Sequence, residues 1–158
     1  MSSPFVVQAP RTYPVPVEKA FDRLLTWPLE ELFDQRYGPL PPVRDVQDQV
    51  GTWGTVGQTR TIRLADGGTM REELTVVDRA RSFGYEITEV SGPMKPLVAA
   101  VGGEWRFDPA GTGVRITWTW TVQPASTLAG YAMPVFARFW QGYARLTLAR
   151  VEGLLVAA

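Results

Sequence analysis

Arg60 and Glu72 are the charged residues whose placement could do chemistry. They flank Asp66-Gly67-Gly68, a hairpin signal because glycine adopts positive φ at no steric cost. With those three residues as the loop, Ala65 faces Thr69, Leu64 faces Met70, Ile62 faces Glu72 and Arg60 faces Leu74. One face of the hairpin then carries Arg60, Ile62, Leu64, Met70, Glu72, Leu74 and Val76, and the other carries Thr61, Arg63, Arg71 and Glu73. A two-residue loop would mix apolar and charged residues on both faces. Arg60 and Glu72 therefore point to the apolar side as diagonal neighbours within reach of each other. Charges placed there must pair or find hydrogen bonds. The pair reads either as a buried structural ion pair or as a polar anchor orienting a ligand carbonyl or hydroxyl in an apolar pocket.

The rest of the composition narrows the chemistry. The chain has no His and no Cys, which removes disulfides, thiol nucleophiles, Ser-His-Asp arrangements and zinc sites built on those residues. No Asp/Glu cluster has the spacing of a calcium loop, so no metal site is expected, and no cofactor either. Acid–base work would fall to Glu72, Tyr85, Tyr131 or Tyr143, with Arg60 able to stabilise an enolate; no residue is singled out as catalytic. Lys plus Arg and Asp plus Glu number 16 each, which leaves no basic footprint for nucleic acid. The N-terminus lacks the pattern of a secretory signal, and no apolar run approaches the ~18 residues of a membrane span. No membrane insertion and a cytoplasmic location are the expectation; the oligomeric state is open.

Positioning these residues requires a sheet. With 158 residues and 45% hydrophobic content, the chain is expected to form a single domain over 1–158 with a sizeable core. A strand is predicted over 5–13, then a helix from about 15 with Ala20, Phe21, Leu24 and Leu25 on its apolar face, stopped by Pro28. A second short helix is predicted over 28–35. Strands are predicted over 43–49, 58–64, 69–78, 82–90, 101–107 and 114–122. The last alternates cleanly, with Val114, Ile116, Trp118, Trp120 and Val122 on one side. A long helix follows from 127 to about 155. Leu128, Tyr131, Val135, Phe139, Tyr143 and Leu146 form its predicted apolar stripe, widened by Phe136 and Trp140, and Pro134 predicts a kink or a broken first turn. Strands followed by one long helix make an α+β fold.

The inward aromatic set is dense: Trp105, Phe107, Trp118 and Trp120 on neighbouring strands, joined by Tyr85 and Ile87, face Tyr131, Val135, Phe139 and Tyr143 of the helix. These side chains read as plain core or as the lining of a cavity, and a cavity is the expectation. The loop over 92–96, with Met94, is either part of its entrance or an ordinary surface loop.

Four segments carry a family resemblance: VPVEKAFDRLL at 15–25, VGQTRTIRLADGGTMREEL at 56–74, FGYEI at 83–87 and GGEWRFDPAGTGVRITWTW at 102–120. The chain resembles the START and birch-pollen-allergen superfamily, SRPBCC, and within it the polyketide cyclase/dehydrase and lipid-transport branch found widely in bacteria. The resemblance implies the helix-grip fold: a curved antiparallel sheet of six to seven strands around a long C-terminal helix, with two short helices after the first strand and a deep cavity between sheet and helix. It implies a hydrophobic small-molecule ligand, lipid-, polyketide- or otherwise aromatic-like. An aromatase/cyclase-type enzyme and a partner-dependent regulator are the alternatives. The expected ligand-binding residues are Arg60, Glu72, Tyr85, Trp105, Phe107, Trp118, Trp120, Tyr131, Val135, Phe139 and Tyr143.

Overall fold

β-Branched and aromatic residues favour an extended chain, and Phe5–Tyr13 forms the first strand, β1. The computed structural model describes residues 3–156. Pro16 at the N-cap opens α1 (Val17–Thr26), whose Ala20, Phe21 and Leu24 are buried. Pro28 then starts α2 (Leu29–Leu32). This helix is a single turn, shorter than the predicted 28–35. Phe33 leaves helical geometry (φ −107°, ψ 62°), and its carbonyl accepts the amide of Val43 at 2.8 Å. The chain is thereby handed to the sheet.

Six more strands follow: β2 (Val43–Gln47), β3 (Thr59–Leu64), β4 (Thr69–Asp78), β5 (Ser82–Thr88), β6 (Val98–Ala110) and β7 (Gly113–Pro124). They make one antiparallel sheet in the order β1-β7-β6-β5-β4-β3-β2. The long helix α3 (Thr127–Val156) covers one face. Ser126 caps it, its hydroxyl accepting the Ala129 amide at 3.0 Å. The Tyr13 hydroxyl donates to the Leu148 carbonyl at 2.7 Å, and Arg11 pairs with Glu152 at 3.1 Å, tying α3 to β1. No helix among the described residues is long and apolar enough to cross a membrane.

Three further sequence expectations need correction. The hairpin register is displaced by two residues: Arg60 lies opposite Glu72, Ile62 opposite Met70 and Arg63 opposite Thr69. The loop still has three residues, but they are Ala65, Asp66 and Gly67. Gly67 takes φ +90°, its amide bonds the Leu64 carbonyl at 3.1 Å, and the Leu64 amide reaches the Gly68 carbonyl at 2.8 Å. Asp66 fixes this choice by accepting the Gly68 amide at 2.8 Å. Because the displacement is even, every side chain from Arg60 to Leu74 keeps its expected face.

Second, Val76 is exposed. A bulge between Leu74 and Val76 shifts the pairing with β5 and reverses the alternation beyond it. Third, α3 buries a different stripe. Met133, Phe136, Trp140, Ala144, Leu148, Val151 and Leu155 face the sheet, while Leu128, Tyr131 and Val135 are exposed. The helix also runs unbroken through Pro134, which lies on its exposed side.

Candidate functional site: a chamber between sheet and helix

Trp118 is the centre of the aromatic packing. It stacks on Trp105 (ring centroids 5.0 Å apart, planes 7° apart), meets Trp140 of α3 at 4.8 Å and Phe33 at 5.4 Å. Trp118 and Trp140 are each 1% exposed. Their packing fills part of the space between sheet and helix. Beside it a cavity of about 90 Å³ remains, several times the ~10–15 Å³ that one water needs. The sheet contributes Ile62, Leu64, Met70, Ile87, Trp105, Trp118 and Trp120 to its walls, and α3 contributes Trp140. Leu24 and Leu25 come from α1, and Leu29, Leu32 and Phe33 from the α2 region. Loop residues Leu40, Pro41 and Met94 complete it, so the 92–96 loop does take part.

Three polar groups interrupt this apolar lining. The first is the Arg60–Glu72 pair. The guanidinium Nε donates to Glu72 Oε1 at 2.6 Å, with the side chains 7% and 6% exposed. Arg60 also donates to Gln49 Oε1 at 3.2 Å and lies 3.8 Å over the ring centre of buried Trp53. Trp53 lies between β2 and β3, in a segment with glycines at 51, 54 and 57, and its residue type by itself does not point to Arg60. Burial pushes the Glu72 carboxyl above its ordinary value of 4.5, against the opposing pull of Arg60.

The second polar group is Tyr85. Its hydroxyl accepts the indole N–H of Trp118 and that of Trp120, each at 2.9 Å. Tyr85 belongs to β5, yet it reaches β7 across the intervening β6. Gly103 permits this: it stands opposite Tyr85 in the sheet, and a Cβ there would lie 2.0 Å from Tyr85 Cζ. Burial raises the Tyr85 phenol above its ordinary value despite both indole bonds. The third, Tyr143, lines the chamber from α3 and donates to the Pro41 carbonyl at 3.0 Å, holding a loop of the wall in place.

A family model described as polyketide cyclase/dehydrase and lipid transport matches residues 4–155. The chain belongs to that family. The sheet order and the long terminal helix are those of the helix-grip fold, and the chain is a member of the SRPBCC superfamily. It is similar in structure to Ara h 8.0201 (TM-score 0.70, 18% identity, covering 98% of this chain and 99% of that one). A protein of Thermus thermophilus is similar too (TM-score 0.68, 21% identity, 97% and 98% covered). So is DynU16, a protein of the dynemicin biosynthetic locus (TM-score 0.60, 12% identity), of which the chain spans 45%. At these identities the likenesses speak for the fold. No curated protein matches the chain in sequence.

In this family member the chamber gathers Arg60, Glu72, Tyr85, Trp105, Trp118, Trp120 and Tyr143 of the residues expected from sequence. Four others lie elsewhere. Phe107 is buried but packs against Phe21 and Phe83, at centroid distances of 5.2 and 5.9 Å. Tyr131 and Val135 are on the outer side of α3, 79% and 57% exposed. Phe139 is half-buried and rests against the backbone of Gly38, where a Cβ would come within 2.6 Å of its ring. The early part of α3 is apolar nearly all round, so two stripes at helical spacing were available. Contact with the sheet selected the one through Phe136 and Trp140. Gly103 was also missed, although a glycine at an inward position of a strand signals close approach by another group.

The raised Glu72 carboxyl has a consequence for stability. The folded chain holds this proton at a pH where the unfolded chain has released it. The contribution of the group is therefore full below about 4.5 and declines as pH rises through the elevated value. Denaturation of the wild type and of Glu72→Gln across pH should show the wild type losing ground to the variant above that point. Parallel profiles would show that Arg60 fully offsets the burial of the charge.

Proposed function

We propose that this family member binds a compact hydrophobic molecule in the chamber between sheet and helix, as one unit formed by the whole chain. The supporting observation is the chamber itself: a mostly apolar cavity with two polar stations, Arg60–Glu72 and Tyr85, on one sheet face. Apolar walls supply most of the binding free energy, at roughly 25 cal/mol per Å², and a few placed polar groups set orientation. A carrier or sensor role needs nothing more. Cytoplasmic action fits the reading.

An enzyme of the cyclase type is the second reading, favoured by the presence of a carboxyl and a phenol on adjacent strands of the same chamber. Such an enzyme would use Glu72 for proton transfer and Tyr85 to stabilise an enolate.

Binding is tested with an apolar fluorescent probe followed through tryptophan emission. Trp105, Trp118, Trp120 and Trp140 all border the chamber, so saturable quenching at micromolar probe is expected. Displacement by a co-purified molecule, found by native mass spectrometry of protein from its own host, would identify the ligand. Quenching that fails to saturate, together with no bound mass, would overturn the proposal. Turnover of that molecule would favour the second reading.

A further inference from the structure

A phenol oxygen can accept two hydrogen bonds and donate one. In Tyr85 both acceptor positions are taken, by the Trp118 and Trp120 indole N–H groups at 2.9 Å each. An indole N–H can only donate, so this arrangement admits no reversal of roles. The one hydrogen left is the phenol's own, and it meets no acceptor among the described residues. Tyr85 borders the chamber. From this geometry we infer that Tyr85 is a donor-only station that selects ligands presenting a carbonyl oxygen.

The inference rests on the proposed ligand binding and sharpens it. Two donors bonded to one oxygen also polarise its O–H and strengthen the bond it gives. A hydrocarbon would leave this buried donor unsatisfied, which costs more than an ordinary hydrogen bond contributes. A hydroxyl can accept from Tyr85, but it finds no lone pair there for its own hydrogen. A carbonyl satisfies the station with nothing left over. Gly103 is part of the device, because it lets the phenol lie across β6 and come under both indoles.

Acetophenone, 1-phenylethanol and ethylbenzene share one shape and differ only at this oxygen. Their affinities are measured by NMR titration, with acetophenone labelled at the carbonyl carbon so that its infrared stretch can be followed. Acetophenone is expected to bind about tenfold more tightly than ethylbenzene, with 1-phenylethanol between them. Its carbonyl stretch should move to lower wavenumber on binding. Tyr85→Phe takes away the phenol donor and leaves only the freed indole N–H groups, so it should alter both the ketone's advantage and its spectral shift. Trp120→Phe frees one lone pair on the phenol and should raise 1-phenylethanol relative to acetophenone.

Equal binding of ketone and hydrocarbon by the wild type would overturn the inference and leave the binding proposal standing. So would a carbonyl stretch unmoved on binding. Absence of binding by all three compounds, together with a negative probe titration, would remove both. The wild-type comparison carries the test even where a variant does not fold.

Discussion

Replacing Glu72 with Leu should destabilise the protein by about 3–5 kcal/mol, the cost of leaving one buried partner without the other. Arg60 would remain with its side chain 7% exposed, and a guanidinium does not shed its proton in a protein. The reverse variant, Arg60→Met, should be milder. Glu72 can escape its isolation by taking up a proton, a change that burial already favours. The double variant Arg60→Met/Glu72→Leu should recover most of the loss, since a buried pair replaced by apolar groups of similar volume is often neutral. Urea denaturation of the four proteins gives the cycle directly. Additive losses would mean that the 2.6 Å contact contributes no coupling. The same set separates the two roles of the pair. A double variant that is stable and binds probe unchanged marks the pair as structural, whereas one that is stable and binds poorly marks it as a ligand anchor.

Gly103→Ala should cost about 3 kcal/mol, although alanine in a strand interior is ordinarily better than glycine by roughly 0.5–1 kcal/mol. The new methyl would stand 2.0 Å from Tyr85 Cζ and 2.5 Å from its oxygen. The ring would have to leave. Overpacking of this kind costs about 1–3 kcal/mol, and each indole N–H deprived of the phenol adds about 1–3 kcal/mol where it stays buried. Gly102→Ala is the control, because its Cβ would meet only Thr121 Cβ, at 4.0 Å. It should be neutral or mildly stabilising. Chemical denaturation compares the two, and tryptophan emission should change in Gly103→Ala alone, as Trp118 and Trp120 lose their acceptor. Equal stability of the two variants would show that Tyr85 has another low-energy position.

Much of the architecture was legible from local pattern. The bounds of β1 and β4 fell where the residue types changed, and the alternation in β7 named its buried face correctly from Val114 to Val122. Pro16 and Pro28 marked the helix starts because proline restricts the backbone on its own account. The inward direction of Arg60 and Glu72 survived an error in register, since side-chain direction depends only on odd or even position. Val76 did not survive, because a bulge resets that parity and leaves no mark in residue type.

Residue type and spacing thus determined the class of fold and the placing of an ion pair on an apolar sheet face. These follow from interactions within a strand, a turn or a helix, which neighbouring residues control. The tertiary structure decided which stripe of α3 meets the sheet, because Tyr131 and Phe136 are both large apolar side chains at helical spacing and only the opposing surface distinguishes them. It decided that Phe107 joins Phe21 in filled core while Trp105, two residues earlier on the same face of the sheet, borders open space. It also decided that Tyr85, Gly103, Trp118 and Trp120, drawn from three strands, form one hydrogen-bonded station. Contacts across strands depend on register, and register is set jointly by turns, bulges and packing far apart in the chain.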